Sequence, residues 1–133
     1  MTPPAITIRL DEGEKGYLPG ETLSGEYDLV AMMPEEVKAV ELSVLWHTEG
    51  KGDEDLAVHH FERTASDEGG WIDWRRPRRF QTELPNSPLS YDGVIIKIRW
   101  CVRVRAFLTR GREVVGETPL VLGNVPPAKA VSS

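Results

Sequence analysis

Two groups of side chains in this chain have the types and spacing for recognition chemistry. The first is Trp71 and Trp74 followed by Arg75, Arg76, Arg78 and Arg79. Large aromatics and guanidinium groups concentrated in one irregular segment are the residue types that dominate binding hot spots. Rings among positive charges also suit an unpaired nucleic-acid strand. The competing reading is structural: the tryptophans fold back to plug one end of the domain, because an exposed pair invites association. The second group is Lys97, Arg99, Arg103 and Arg105. On a strand these share one face, with neighbours two residues apart separated by about 7 Å. Such a row can meet phosphate or carboxylate groups, arginine through planar bidentate bonds. Alternatively it pairs with acids on neighbouring strands, such as Glu41 or Glu117.

Other candidates carry less. Cys101 lies between Arg99 and Arg103, where positive charge would lower a thiol pKa. With no second cysteine to resolve an oxidised one, an inert strand thiol is the simpler reading. His47, His59 and His60, with Asp53 and Asp55 between, invite a metal reading. In a regular strand His59 and His60 point to opposite faces, and no C-x-x-C, H-E-x-x-H or EF-hand loop is present. There is no G-x-S-x-G elbow, P-loop or dinucleotide fingerprint, so neither a catalytic centre nor a cofactor is expected.

The elements that would position these residues read as strands throughout. The 12 glycines and 10 prolines fall between apolar runs, and the runs alternate. Ile6, Ile8 and Leu10 alternate with polar residues; Leu23, Gly25, Tyr27 and Leu29 follow a Pro19-Gly20 turn of type II. Val40 to His47 and Leu56 to Arg63 form a strand and its return. Thr64 to Arg79 has no period, Phe80 to Leu84 resumes as a strand, and Pro85 to Gly93 is a crossing. Val94 to Leu108 is the clearest signal: Ile96, Ile98, Trp100, Val102, Val104, Ala106 and Leu108 take one face, the basic row and Cys101 the other. Val114 to Val121 closes the series. About eight strands and no patterned helix predict an all-β, two-sheet antiparallel immunoglobulin-like sandwich. One domain over residues 1–125, with a frayed tail over 126–133, fits the length of 133.

Composition narrows the partner. Against 16 Lys+Arg stand 21 Asp+Glu, a net charge of −5, which disfavours a surface devoted to nucleic acid. One cysteine excludes an internal disulfide framework. The start lacks a signal-peptide pattern, and no run approaches the length of a spanning helix, so the expected location is cytoplasmic.

Two stretches carry a family resemblance. Tyr17-Leu18-Pro19-Gly20-Glu21-Thr22-Leu23-Ser24-Gly25 resembles the Y-x-P-G-E-x-(L/V)-x-G start of arrestin domains. Phe80-Gln81-Thr82-Glu83-Leu84-Pro85, the Ser87 to Gly93 crossing and Ile98-Arg99-Trp100-Cys101-Val102 resemble the family's second landmark, with Trp100 where the family carries tyrosine. The likeness spans roughly Ile6 to Leu122. It implies an arrestin-type sandwich used as an adaptor, without a family catalytic centre. Arrestins carry two such domains in tandem and this chain has room for one, so self-association with a second copy is expected.

The expectation is therefore a non-catalytic adaptor or scaffold for protein partners, acidic or phosphorylated ones included. Its contact surfaces would be the Trp/Arg segment, the basic row, or an open strand edge. The alternative is a binder of anions: phosphorylated peptide, anionic lipid or single-stranded nucleic acid.

Overall fold

Alternation with a period of two lets a strand bury one face and leave the other wet. The structure, a computed structural model, describes residues 2–13, 15–50, 52, 54–65 and 72–123. Its strands are β1 (Ala5–Leu10), β2 (Thr22–Val30), β3 (Val37–Gly50), β4 (Leu56–Ala65), β5 (Arg78–Glu83), β6 (Tyr91–Asp92), β7 (Ile96–Leu108) and β8 (Glu113–Leu120). Among the described residues, helical structure is limited to two 3-10 turns, Pro34–Glu36 and Thr109–Gly111.

The strands form two antiparallel sheets. One has the order β1-β2-β5; the other runs β4-β3-β7, with the far edge of β7 shared by β6 and β8. Between the sheets lie Leu23, Tyr27 and Phe80 from the first, and Val40, Leu42, Val44, Trp100, Val102, Val104 and Ala106 from the second. This is the all-β sandwich that the alternation predicts. The β7 face assignment holds residue by residue from Trp100 to Leu108, with Trp100, Val102, Val104, Ala106 and Leu108 buried.

The first landmark motif meets the opening of the second in one local structure. Gly20 takes φ 84°, and Glu21 N–H donates to the Leu18 carbonyl at 3.1 Å, closing the predicted turn. The Glu21 carboxylate accepts from Leu18 N–H at 2.6 Å, which explains why an acid follows Pro-Gly. Gly20 N–H then reaches the Leu84 carbonyl, and Leu84 N–H reaches the Glu21 carbonyl, at 3.0 and 2.9 Å. Tyr17 and Leu84, one from each motif, are both buried.

Three details depart from the expected elements. Residues Tyr91–Asp92, read as part of a crossing, form β6. Thr64 and Ala65 continue β4, and Arg78 and Arg79 open β5, where an irregular segment was expected. The β3–β4 register passes from Val44↔His60 to Leu45↔Val58, so His59 is an extra residue in a bulge. The 126–133 tail lies outside the described residues, as do Trp71 and Asp53. Among the described residues no helix is long and apolar enough to cross a membrane.

Candidate functional site

The basic row of β7 sits on the outward face of its sheet, and each member has an acid beside it. Lys97 lies 3.6 Å from Asp92, and Arg99 lies 3.7 Å from Glu49 and 3.8 Å from Asp92. Arg103 meets Glu117 at 2.9 Å, its cross-strand neighbour on β8, and Arg105 meets Glu113 at 3.5 Å. Glu117 is one of the two partners that strand spacing nominated. The other, Glu41, pairs instead with Arg63 of β4 at 2.8 Å.

The Trp/Arg segment is dispersed rather than assembled. Trp74 is in the core with 4% of its surface exposed, and the Arg78 guanidinium lies 5.4 Å from its ring centroid. Arg75 and Arg76 both approach Asp73, at 3.0 and 3.5 Å. Arg79 belongs to the other sheet, where it pairs with Asp11 and holds that carboxyl down to about pKa 2, helped by the Ser24 hydroxyl. Arg79 therefore faces away from the β7 row. The sequence reading missed Asp73, though it stands inside the segment as Trp71-Ile72-Asp73-Trp74.

Cys101 is buried on the outward side of β7, opposite Leu45. Desolvation, reinforced by the Glu117 carboxylate, pushes its thiol up to about pKa 11 despite Arg103. Glu117 thus spends the positive charge that would otherwise activate the thiol. The bulge leaves His59 exposed but turned toward the other sheet, where Nε2 lies 2.7 Å from the Glu83 carbonyl and the ring stands edge-on to Trp100 at 6.0 Å. His60 bonds Glu62 at 2.7 Å and His47 bonds Glu49 at 3.0 Å. Among the described residues no group of three His, Cys, Asp or Glu could hold a metal ion.

The surface that spacing did not single out is β4. It has β3 on one side and no strand on the other among the described residues. Its outward face carries Leu56, Val58 and Phe61, each about half exposed. Between Leu56, Val58 and the stems of Arg103 and Arg105 lies a shallow cleft of about 150 Å³, floored by Ser43 and the buried Leu45. A signal was present: apolar positions 56 and 58 are followed by 61, and that slip of one is the bulge. A larger cleft of about 660 Å³ at one end of the sandwich is lined by Met32, Met33, Val37, Ile72, Trp74 and Arg75, among others.

Comparison with known proteins places the fold. No family model and no curated protein sequence matches the chain. Among solved structures it is similar to Spo0M, a sporulation control protein from Bacillus subtilis, with TM-score 0.64, 14% identity and 94% of this chain covered. The match takes in 51% of that protein, so the chain spans about half its length. It is also similar to a superoxide reductase (neelaredoxin) from Ignicoccus hospitalis, with TM-score 0.54, 11% identity, and 89% of this chain and 80% of that one covered. At these identities the likeness is one of fold alone, a two-sheet antiparallel β-sandwich.

Proposed function

We infer that this chain is a non-catalytic adaptor domain that receives an extended segment of a protein partner along the free edge of β4. The observation that carries this is the combination of an open ladder edge with exposed Leu56, Val58 and Phe61 on the same strand. An edge strand offers backbone N–H and C=O groups for pairing, and alternate side chains of the added strand contact the flanking surface. The edges at β5 and β8 are less suited. β5 turns Arg79, Gln81 and Glu83 outward and is only six residues long, and β8 carries Glu113, Glu117 and Pro119. β4 is ten residues long and holds no proline.

The bulge at His59 and the Glu62–Arg63 charges fit a guarded edge, which limits indiscriminate sheet growth while leaving Leu56 to Phe61 available. A partner strand there would lay its side chains toward the cleft floored by Leu45. The regulatory role of the similar Spo0M structure agrees with an adaptor but reaches this chain only as part of this proposal.

Anion capture through Arg75, Arg76, Arg78, Arg79, Lys97, Arg99, Arg103 and Arg105 is the rival. Those side chains sit beside acids or, for Arg78, over the Trp74 ring, so an anion would first have to displace a partner. The two readings separate in one experiment. Peptides selected on the chain from a random displayed library are measured for affinity across salt concentrations, with Val58→Lys and with Arg75, Arg76, Arg78 and Arg79 reversed to glutamate. Docking on β4 predicts weak salt dependence and loss with Val58→Lys. Steep salt dependence with loss on charge reversal would give the function to the arginines instead.

A further inference from the structure

The most exposed large apolar side chains of the described surface lie neither on β4 nor in the arginine segment. They lie in the turn between β6 and β7, Gly93-Val94-Ile95, where Val94 is fully exposed and Ile95 is 72% exposed. This turn is held rather than loose. Gly93 N–H donates to the Ile96 carbonyl at 3.1 Å, closing the hairpin. A Cβ on Gly93 would lie 2.4 Å from Tyr91 Cε2, so the Tyr91 ring folds over the glycine. A Cβ on Gly50 would lie 2.2 Å from the Ile95 carbonyl oxygen, so the end of β3 presses against the turn from the other side. Two glycines thus fix a backbone whose aliphatic side chains point at solvent. A rigid apolar projection loses little freedom when a partner covers it, which is the property of a binding anchor.

A receptor for such an anchor lies beside it. β6 pairs β7 at Lys97 and Ile98, and β8 begins pairing at Trp100, so Arg99 has no ladder partner on that side. The notch is a cleft of about 310 Å³, its walls including Tyr91, Ile98, Trp100, Pro119 and Val121. Ile95 and Arg99 are four strand positions apart, about 13 Å. One end of the molecule therefore presents a projection and a matching recess side by side. A two-fold interface requires this, because each copy must offer both halves of the contact.

The chain carries −5 overall, which opposes contact between copies over most of its surface. Around the notch, however, Asp92 and Glu49 balance Lys97 and Arg99, and these pairs are loose at 3.6 to 3.8 Å. A locally neutral patch with both signs can exchange ion-pair partners across an axis without net repulsion. We propose that this end is a homodimer interface, in which the Val94–Ile95 turn of each copy enters the Tyr91–Trp100–Val121 notch of the other.

The test is sedimentation equilibrium of the full chain from roughly 1 to 300 μM, a range that brackets the affinity of a small interface. The wild-type chain should show a monomer–dimer equilibrium. Ile95→Asp removes the projection, Val121→Arg fills the recess, and each should weaken dimerisation at least about tenfold, the scale of one lost anchor. Both side chains are exposed, so thermal melting at a concentration where every variant is monomeric should stay unchanged. The distinctive result is a mixture of the two variants. One intact contact survives in the heterodimer, so the mixture should associate more tightly than either variant alone and less tightly than wild type. A strictly monomeric wild-type chain at the top concentration would overturn the proposal. So would a dimer that Ile95→Asp leaves intact and Val58→Lys on β4 abolishes. Co-sedimentation of a monomeric chain with phosphatidylcholine vesicles, lost in Ile95→Asp, would overturn it in favour of a lipid surface.

Discussion

Gly20 donates its backbone N–H to the carbonyl of Leu84 at 3.0 Å, so residues 64 positions apart hold one corner of the sandwich. The glycines of this motif serve different ends. A Cβ on Gly20 meets nothing within 4 Å, so only its φ of 84° demands glycine. A Cβ on Gly25 would lie 2.4 Å from the Arg9 carbonyl oxygen, so there the crossing of β1 demands it. Gly20→Ala is expected to cost about 1 kcal/mol, with Gly20→Asn milder because asparagine tolerates the left-handed region. Gly25→Ala should cost roughly 1–3 kcal/mol through overpacking, with Gly25→Asn worse still. Urea denaturation of the four variants checks the opposite ranking of alanine and asparagine.

Cys101 should be a slow nucleophile. With its thiol near pKa 11 rather than the ordinary 9.0, it holds about a hundredfold less thiolate at pH 8. A more basic thiolate is the better nucleophile, which offsets about half of this on a logarithmic scale. Iodoacetamide should therefore label the folded chain roughly tenfold more slowly than the urea-unfolded chain, with burial slowing it further. Glu117→Gln should speed labelling, since that carboxylate both accepts from the thiol and opposes its ionisation. The sign for stability follows. Between pH 9 and about 11 the unfolded chain releases a proton that the folded chain keeps, so stability falls as pH rises through that window.

Asp11 works in the opposite direction. Its carboxyl is held near pKa 2 by the Arg79 guanidinium first and the Ser24 hydroxyl second. The folded state binds this proton more weakly than the unfolded state, so the stabilising contribution is complete above the ordinary value of 3.8 and is lost as pH falls towards 2. An NMR titration should place the Asp11 midpoint near 2 in the wild type and closer to 3.8 in Arg79→Gln. An unchanged midpoint would show that the pair is not formed in solution.

Trp100 is fully buried and donates Nε1–H to the Pro88 carbonyl at 2.8 Å. Trp100→Phe keeps a ring but leaves that carbonyl without its donor, and should cost about 1–3 kcal/mol beyond the loss of ring area. Trp100→Ala should cost about 3–5 kcal/mol. Chemical denaturation measures both, and a loss under 1 kcal/mol for the alanine variant would deny Trp100 its place in the core.

Much of the fold is legible because alternation is a local signal. The faces of β7 follow from counting by two from Trp100, and Pro19-Gly20 specifies its own turn. What escaped notice is long-range or context-bound. β6 is two residues long, too short to show a period, and exists because Tyr91 and Asp92 find Ile98 and Lys97. Residue type alone ranks the arginines first, yet whether a cation is free depends on acids brought in from other segments, such as Glu113 and Glu117 of β8 and Asp11 of the turn after β1. Trp74 reads in sequence as either a binding anchor or a plug, and the closing sandwich buries it. Conversely, the β4 surface looks ordinary in sequence because an unpaired edge is a property of topology. The slip from Val58 to Phe61 was its one local trace.

The β4 edge is the proposed docking surface, and amide hydrogen exchange reads that edge directly. Exchange is measured on the free chain and on the chain saturated with a library-selected peptide. Docking by strand addition predicts new protection concentrated in residues 56–65, absent for Val58→Lys and unchanged at high salt. Protection that falls instead on residues 72–79 or along β7, and disappears as salt is raised, would contradict it.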